Sequence, residues 1–552
     1  MEQSRLLIAI ALSFLVFFAW QALFVDKEAP QQQKTTAPSD QSAPATPAAP
    51  AVEPIITPAV PAAKPAELTP RSQAKTITVQ SPFYAVEISE KGAAFKSFVL
   101  KNYRKRVEED SPYMNLVPAG LESGTILTGF AGKSLGGIDH AIFAAQTPAE
   151  MIDATSSPQS VSFVYVTDEG ITVEKTYLFS PETYRIGLTV TIQNASPRTI
   201  TDSLTLSLMT LLPEKEERYG FSGPSALINN KLENIAIKKI KDKNTYTGKL
   251  KWVAVQDRYF MESIIPQITD VEAGMHLIQK ENNLLETQYR QPVSVIPSGT
   301  QQRFEYQLFL GPKSMRILRQ FGFDLDKAVN FGWFDFIAKP CLWLMNQLYR
   351  LIPNYGVDII ILTLFIKILL WPLGTKSYKS MNEMKKLQPL MTELREKYKH
   401  DKKKMNEEVM ALYRVYKINP MGGCLPMVAQ IPVFFALYRM LYEAIELRHA
   451  PFVGWINDLS APDRLFSFSF SIPFMEPPYG IPVLTIVMGA SMLLQQKMTP
   501  TPGDPMQAKM MMFMPVIFTF IFINFSSGLV LYWLINNILS MAQQYYITKK
   551  TA

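Results

Sequence analysis

Residues 360–372, "IILTLFIKILLWP", are apolar at every position except Thr363 and Lys367. An ammonium group at the centre of a membrane helix costs about 2.5–3.5 kcal/mol on insertion scales, and such residues face a bundle interior or a hydrated cavity. Thr363, Lys367 and Trp371 recur at steps of four, which puts them on one stripe of a helix. Pro372 stops the run, and at 1.5 Å per residue it lies about 7.5 Å beyond Lys367. The stretch therefore predicts a membrane helix whose cation either snorkels to the head groups or lines a watery groove.

Other long apolar runs flank a soluble middle. Leu6 to Val25 contains one strongly polar residue, Gln21, and its length suits a bilayer core. No A-x-A cleavage site precedes the charged "DKEAP", so residues 1–25 read as an uncleaved N-terminal anchor. The second span is read at Val357–Trp371, a third at Cys424–Met440 and a fourth at Ile481–Met498. Met510–Met541 is too long for one crossing and carries "NFSSG" at its middle, so it reads as two spans and a tight turn. Six transmembrane α-helices result.

Residues 26–74 are rich in Pro, Ala, Gln and Thr, a composition that stays extended and cannot bury a core. From residue 75 the period becomes two. Val161, Phe163 and Tyr165 share one face, Ile186, Leu188, Val190 and Ile192 another, and Leu204, Leu206 and Leu208 a third. Such strands predict an antiparallel β-sandwich across residues 75–330. Residues 331–354 mix aromatics, cations and Pro340, which suits an amphipathic helix lying along the membrane surface. Residues 355–552 form the remaining, five-span core.

Between the second and third spans, residues 374–420 carry twelve Lys or Arg against six acids, whereas residues 442–480 carry two Arg against five acids. The positive-inside rule puts the first loop in the cytoplasm. Both termini then lie inside and the β-domain outside. Met381, Met384, Leu387, Met391, Leu394 and Tyr398, and then Met405, Val409, Leu412 and Tyr416, recur at helical steps around "KHDKK". They predict a helical hairpin with basic outer faces, able to meet ribosomal RNA, an acidic partner or anionic lipid.

Polar atoms in the other spans include Gln430, Thr485, Ser491, Asn536, Asn537 and Ser540. Amides in membrane helices often serve only as inter-helix hydrogen bonds; with a lysine they could line a hydrated cavity. The formal net charge of +7 does not indicate nucleic acid, and no DNA partner is expected. Cys341 and Cys424 fall near opposite membrane faces, which argues against a structural disulfide between them. No phosphate-binding loop, H-E-x-x-H, G-x-S-x-G or metal-ligand cluster is present in the sequence, and the four histidines are scattered. No cofactor, no metal and no enzymatic activity are expected.

Five stretches carry a specific resemblance: "KSYKSMNEMKKLQPLMTELREKY" from Lys376, "INPMGGCLPMVAQIPVFFALYRML" from Ile418, "ELRHAPFVGWINDLSAPD" from Glu446, "DPMQAKMMMFMPVIFTFIF" from Asp504 and "SSGLVLYWLINN" from Ser526. In order and spacing the chain closely resembles the YidC family of bacterial membrane protein insertases, relatives of the mitochondrial Oxa and chloroplast Albino proteins. The anchor, linker and large external domain look like the Gram-negative form, whose periplasmic domain is a β-supersandwich similar to sugar mutarotases.

The resemblance implies insertion and folding of newly made inner-membrane proteins, alone or with the Sec translocon. It further implies ribosome contacts through the basic hairpin and C-terminal tail, and a hydrophilic groove open to cytoplasm and lipid. The position matching the family's groove cation is Lys367, where many members have arginine. This keeps the charge but loses the planar fork. Thr363, Tyr532 and Trp533 match family positions on the groove or substrate-contacting face, and Gln430 and Asn536 are added here as polar groups of the spans. Two other classes compete: a secondary transporter with Lys367 as its anion site, for which the sequence shows no internal repeat, and a sugar-binding or sugar-isomerising β-domain, for which the sequence places no acid–base pair.

Overall fold

The computed structural model describes residues 57–58, 74–132, 134–212, 220–416, 425–498 and 505–551, without the side chains of 57–58, 402, 425–429, 505–510 and 551. The anchor at 1–25, most of the linker at 26–74 and Cys424 lie outside the described residues. Cys341 is a free thiol.

The N-terminal domain is a β-sandwich, and its strands follow the period-two pattern. We number β1 Thr76–Gln80, β2 Tyr84–Ser89, β3 Ala94–Arg104, β4 Gln159–Val166, β5 Ile171–Phe179, β6 Arg185–Asn194, β7 Leu204–Leu211, β8 Thr245–Gln256, β9 Phe260–Pro266, β10 Glu272–Gln279, β11 Leu284–Arg290 and β12 Thr300–Pro312. The large sheet runs β7-β11-β10-β8-β9-β12-β6-β5-β4, with short strands at both ends, and β3-β2-β1 form the centre of a second sheet. β5 pairs antiparallel with β4 and with β6, so that Val173 stands opposite Tyr165 and Ile192. Along β6 every second residue from Ile186 to Ile192 is buried, as expected for a strand with one face on the core. β7 differs: Leu204 to Met209 are all buried, so its two faces are both covered. Thr57–Pro58, assigned to the linker by composition, add a short strand beside Thr300 and Gln301 of β12.

One residue of β5 departs from the apolar pattern. Lys175 has 0% exposure, and its Nζ donates to the carbonyls of Gly92, Ala93 and Ile126 at 3.0 Å each. Tyr177 Oη donates to the Ala93 carbonyl at 2.7 Å. Burial pushes the Lys175 ammonium down to about 7. The three carbonyls fill its donor capacity, so this lysine ties β5 of the large sheet to the β2–β3 turn of the second sheet.

The helices are α1 Met315–Phe321, α2 Asp335–Tyr349, α3 Tyr355–Leu369, α4 Trp371–Lys397, α5 Lys402–Val415, α6 Leu425–Glu443, α7 Val483–Met498, α8 Pro505–Phe522 and α9 Ser527–Thr551. Among the described residues no single helix is long and apolar enough to cross a membrane; α3 and α4 pass that test together but are bent by 65°. α3 has 15 residues, about 22 Å of helix against a hydrocarbon core of about 30 Å. The sequence reading placed Trp371 at the end of this span; in the structure it opens α4, with Pro372 in the first turn of that helix, where proline's missing N–H is tolerated.

α9 is the hub of the core and packs against α3, α4, α6 and α7. α4 and α5 form the helical hairpin, with Met384, Leu387 and Met391 buried on α4 and Tyr413 Oη 3.5 Å from Met391 Sδ. Asp401 caps α5 by accepting from the Lys404 N–H at 3.0 Å. α2 buries Ala338, Leu342 and Met345 and leaves Phe336 and Trp343 exposed, so apolar side chains stand on both its covered and its open face.

Two arginines join the β-domain to the core. Arg258, in the turn between β8 and β9, donates to the Tyr442 carbonyl at 2.7 Å and lies 3.5 Å from the centroid of the Tyr442 ring. Arg448 donates to the Arg104 carbonyl at 2.7 Å. Ser314 Oγ donates to Glu446 Oε1 at 3.1 Å, and burial raises that carboxyl.

Candidate functional site

α3 starts where Asn354 accepts from the N–H groups of Gly356 and Val357 and donates to the Phe452 carbonyl at 3.1 Å. Gly356 is required there, because a Cβ would sit 2.0 Å from Cδ2 of Phe452. This anchorage sets the rotation of α3 and turns Lys367 toward α9. Lys367 Nζ donates to Ser540 Oγ at 2.6 Å and lies 3.4 Å from Asn536 Oδ1. Gln430 of α6 donates to the same Asn536 Oδ1 at 2.8 Å. Ser540 in turn donates to the Asn536 carbonyl at 2.7 Å, and Tyr378 Oη lies 3.4 Å from the Ser540 carbonyl.

The cluster is cationic with no countercharge. Among the described residues no carboxylate stands within ion-pair distance of Lys367, and its acceptors are a neutral amide and a hydroxyl. Lys367, Gln430 and Asn536 are half-buried. On α9 the polar residues Asn536, Asn537, Ser540, Gln543 and Gln544 recur at steps of three and four, forming a polar stripe on an otherwise apolar helix. Asn537 reaches Ser491 Oγ of α7 at 3.0 Å and Gln543 the Trp371 carbonyl at 3.1 Å.

Lys367, Gln430 and Asn536 thus come together, with Tyr532 beside them: it is buried and shares a side-chain hydrogen bond with Gln430. Thr363 does not join them. Its hydroxyl is buried and donates to the Ile359 carbonyl at 2.6 Å, the back-bond that satisfies a helical threonine. Trp533 faces elsewhere, edge-on to Phe434 at 4.8 Å and 5.1 Å from the Phe522 ring. Ser540, the shortest contact of the lysine, was visible in the sequence only as one of several polar residues in the last apolar run. Asp358 escaped the sequence reading altogether. It has 0% exposure, and among the described residues neither carboxylate oxygen has a partner; it lies in the first turn of α3, where the helix dipole favours negative charge.

Exposed apolar side chains such as Phe365, Ile368, Leu369, Ile486, Leu494, Phe513 and Phe520 surround this polar interior. The helical core thus keeps its polar groups inside and apolar side chains outside, and it carries a β-sandwich domain. The chain belongs to the YidC family of membrane protein insertases, a family of insertases rather than enzymes: it is 42% identical over 567 residues to the membrane protein insertase YidC of Syntrophus aciditrophicus, covering 99% of each chain. The corresponding protein of Syntrophobacter fumaroxidans is 41% identical, covering 99% of this chain and 100% of its own. Residues 347–552 match the family described as 60Kd inner membrane protein, and residues 76–344 match the YidC periplasmic domain. A solved YidC insertase with its first transmembrane domain resolved is 19% identical, covers 86% of this chain and 93% of its own, and has a TM-score of 0.37. A galactose mutarotase-like protein from Lactobacillus casei is 11% identical, covers 43% of this chain and 100% of its own, and has a TM-score of 0.31.

Proposed function

We propose that this insertase works through a groove centred on Lys367, with Gln430, Asn536 and Ser540 as its polar wall and Tyr532 behind them. The carrying observation is the ammonium held by two neutral acceptors, with no carboxylate beside it among the described residues, in a group of helices whose outer faces are apolar. A client segment with acidic or polar flanks enters from the cytoplasm, where the cation and amides lower the cost of desolvating those flanks. Its apolar part meanwhile passes into lipid, a transfer worth roughly 25 cal/mol per Å² buried. The groove lowers a barrier, and lipid burial supplies the driving force, so no nucleotide is needed. Trp533 and Thr363 support the wall through packing.

In this reading α3, α6, α7, α8 and α9 cross the inner membrane together with the N-terminal run, six spans in all, with both termini cytoplasmic and the β-domain periplasmic. The cation excess in residues 374–420 supports that orientation. Helices as short as α3 also favour local thinning of the bilayer around the groove. The basic α4–α5 hairpin and the C-terminal Lys549 and Lys550 receive ribosome-bound nascent membrane proteins, and the Sec translocon is a partner for larger clients.

Protease protection of a short acidic-tailed client in proteoliposomes tests the groove. Lys367→Arg keeps insertion within about twofold, whereas Lys367→Glu lowers it at least about tenfold, the equivalent of about 1.4 kcal/mol in barrier. Equal insertion by the two variants overturns the role of the groove charge.

A further inference from the structure

The segment between α6 and α7 carries an aromatic hairpin that the groove does not use. β13 Leu465–Phe468 and β14 Tyr479–Ile481 pair antiparallel, and the loop joining them reads "SFSIPFMEPP". Phe466 is 69% exposed, Phe470 62% and Phe474 85%, and the rings of Phe468 and Phe470 stack at 5.2 Å. A contiguous exposed apolar patch of this kind marks an interaction surface.

The hairpin is built to hold those rings outward. Phe466 has φ of 59° and Phe474 φ of 65°, left-handed conformations that bulky side chains rarely adopt and that persist only where the surroundings enforce them. The enforcement is visible. Arg464 donates at 2.8 Å to each of the carbonyls of Pro478, Asp463 and Ile523. Asn524, in the turn between α8 and α9, donates to the Phe474 carbonyl at 2.9 Å and accepts from the Glu476 N–H at 2.9 Å. Asp463 accepts from Leu484 N and from Trp455 Nε1, both at 2.5 Å, which fixes the hairpin base to the first turn of α7.

We infer that this hairpin is a lipid anchor, its phenylalanines inserted into the outer leaflet of the bilayer beside the core. Continuity identifies the occupant: one residue, Pro482, separates β14 from α7, and α7 goes on to expose Ile486, Val487 and Leu494. From Leu465 to Ile481 the only charged residue is Glu476, and its backbone N–H is bonded to Asn524, so the exposed phenylalanines are interrupted by one carboxylate and by serines, which reach the head groups while the rings enter the lipid. Aromatic side chains favour this depth of the bilayer. Anchoring there fixes the outer ends of α6 and α7 and, through Arg448 of this segment and Arg258 of the β-domain, which donates to Tyr442 and Ser460, the height of the β-domain over the membrane.

The inference rests on the reading of α6 and α7 as spans, and spin labels separate the two. In a Cys341→Ser, Cys424→Ser background, full-length protein labelled at Phe470→Cys, Phe474→Cys, Leu494→Cys or Ile268→Cys is reconstituted in phosphatidylethanolamine–phosphatidylglycerol vesicles, and collisions with oxygen and with a water-soluble nickel chelate are compared. Positions 470, 474 and 494 are expected to show an oxygen-to-nickel ratio at least about threefold above that of position 268 on the β-domain, as for side chains below the head groups. Lipid exposure at 494 with water exposure at 470 and 474 overturns the anchor and leaves the spans standing. Water exposure at all four positions overturns both. Protection at 470 and 474 that appears only with a client arrested in the vesicle assigns the crest to clients and overturns the lipid anchor.

Discussion

Each half of the molecule puts one lysine among apolar side chains, and the two are held in opposite ways. Lys175 of the β-domain has no exposure, and three main-chain carbonyls at 3.0 Å take all of its donors. Lys367 of the helical core is half-buried and has two side-chain acceptors, Ser540 and Asn536. Carbonyls of the main chain are fixed by the fold, so the first lysine is a rivet. Side-chain acceptors on a neighbouring helix can rotate away, so the second keeps a charge available to a ligand. The difference teaches that a buried cation is read by who accepts from it, not by burial alone.

The largest effect is expected where the rivet is removed. Lys175→Met takes the ammonium from the Gly92, Ala93 and Ile126 carbonyls, of which Ala93 keeps Tyr177 Oη, and lowers stability by about 3–5 kcal/mol, measured as loss of β-sheet circular dichroism on heating the full chain in detergent. Lys367→Met sharpens the contrast in the other direction: insertion of an acidic-tailed client falls about tenfold while stability changes by less than about 1 kcal/mol, since exposed or hydrated groups contribute little to folding. A large melting shift in this variant would break the comparison. Asn536→Ala frees both Lys367 and Gln430 from their shared acceptor and is expected to slow insertion about threefold, a cost close to that of one membrane side-chain hydrogen bond.

A separate test of the comparison concerns pH. Glu262 of β9 is buried, and burial, aided by Asp257, pushes its carboxyl up to about 8 from 4.5. The native state then holds a proton that the unfolded chain releases, so this group's contribution to stability is full below pH 4.5 and is lost as pH rises toward 8. Lys175, pushed down to about 7 from 10.5, acts oppositely, adding stability as pH rises from 7 to 10.5. Glu262→Gln should flatten the decline between pH 4.5 and 8 in thermal melts and leave the rise above it.

Much of the fold was legible because burial imposes a period. The alternation of Ile186, Leu188, Val190 and Ile192 predicts β6 directly, and the helical steps of Met384, Leu387 and Met391 predict the buried face of α4. β7 shows the limit of this reasoning. Its leucines alternate in the sequence, but the residues between them are buried too, because coverage of the second face comes from distant chain. The site divides the same way. Lys367 announced itself as a charge in an apolar run, whereas the choice of Ser540 over Thr363 as its partner depends on the rotation of α3 against α9.

The sequence by itself determined the change from a strand-rich region to an apolar helical one, because composition and periodicity are local properties. It determined membership of the insertase family as well, since identity over 99% of the chain needs no coordinates. Only the tertiary structure decided that Lys175 joins two sheets, that Asn536 serves Lys367 and Gln430 at once, and that the phenylalanines of the 465–481 hairpin point outward from a base bonded to the α8–α9 turn. Each of these brings together groups more than forty residues apart, and local patterns carry no information on which distant donors and acceptors will meet.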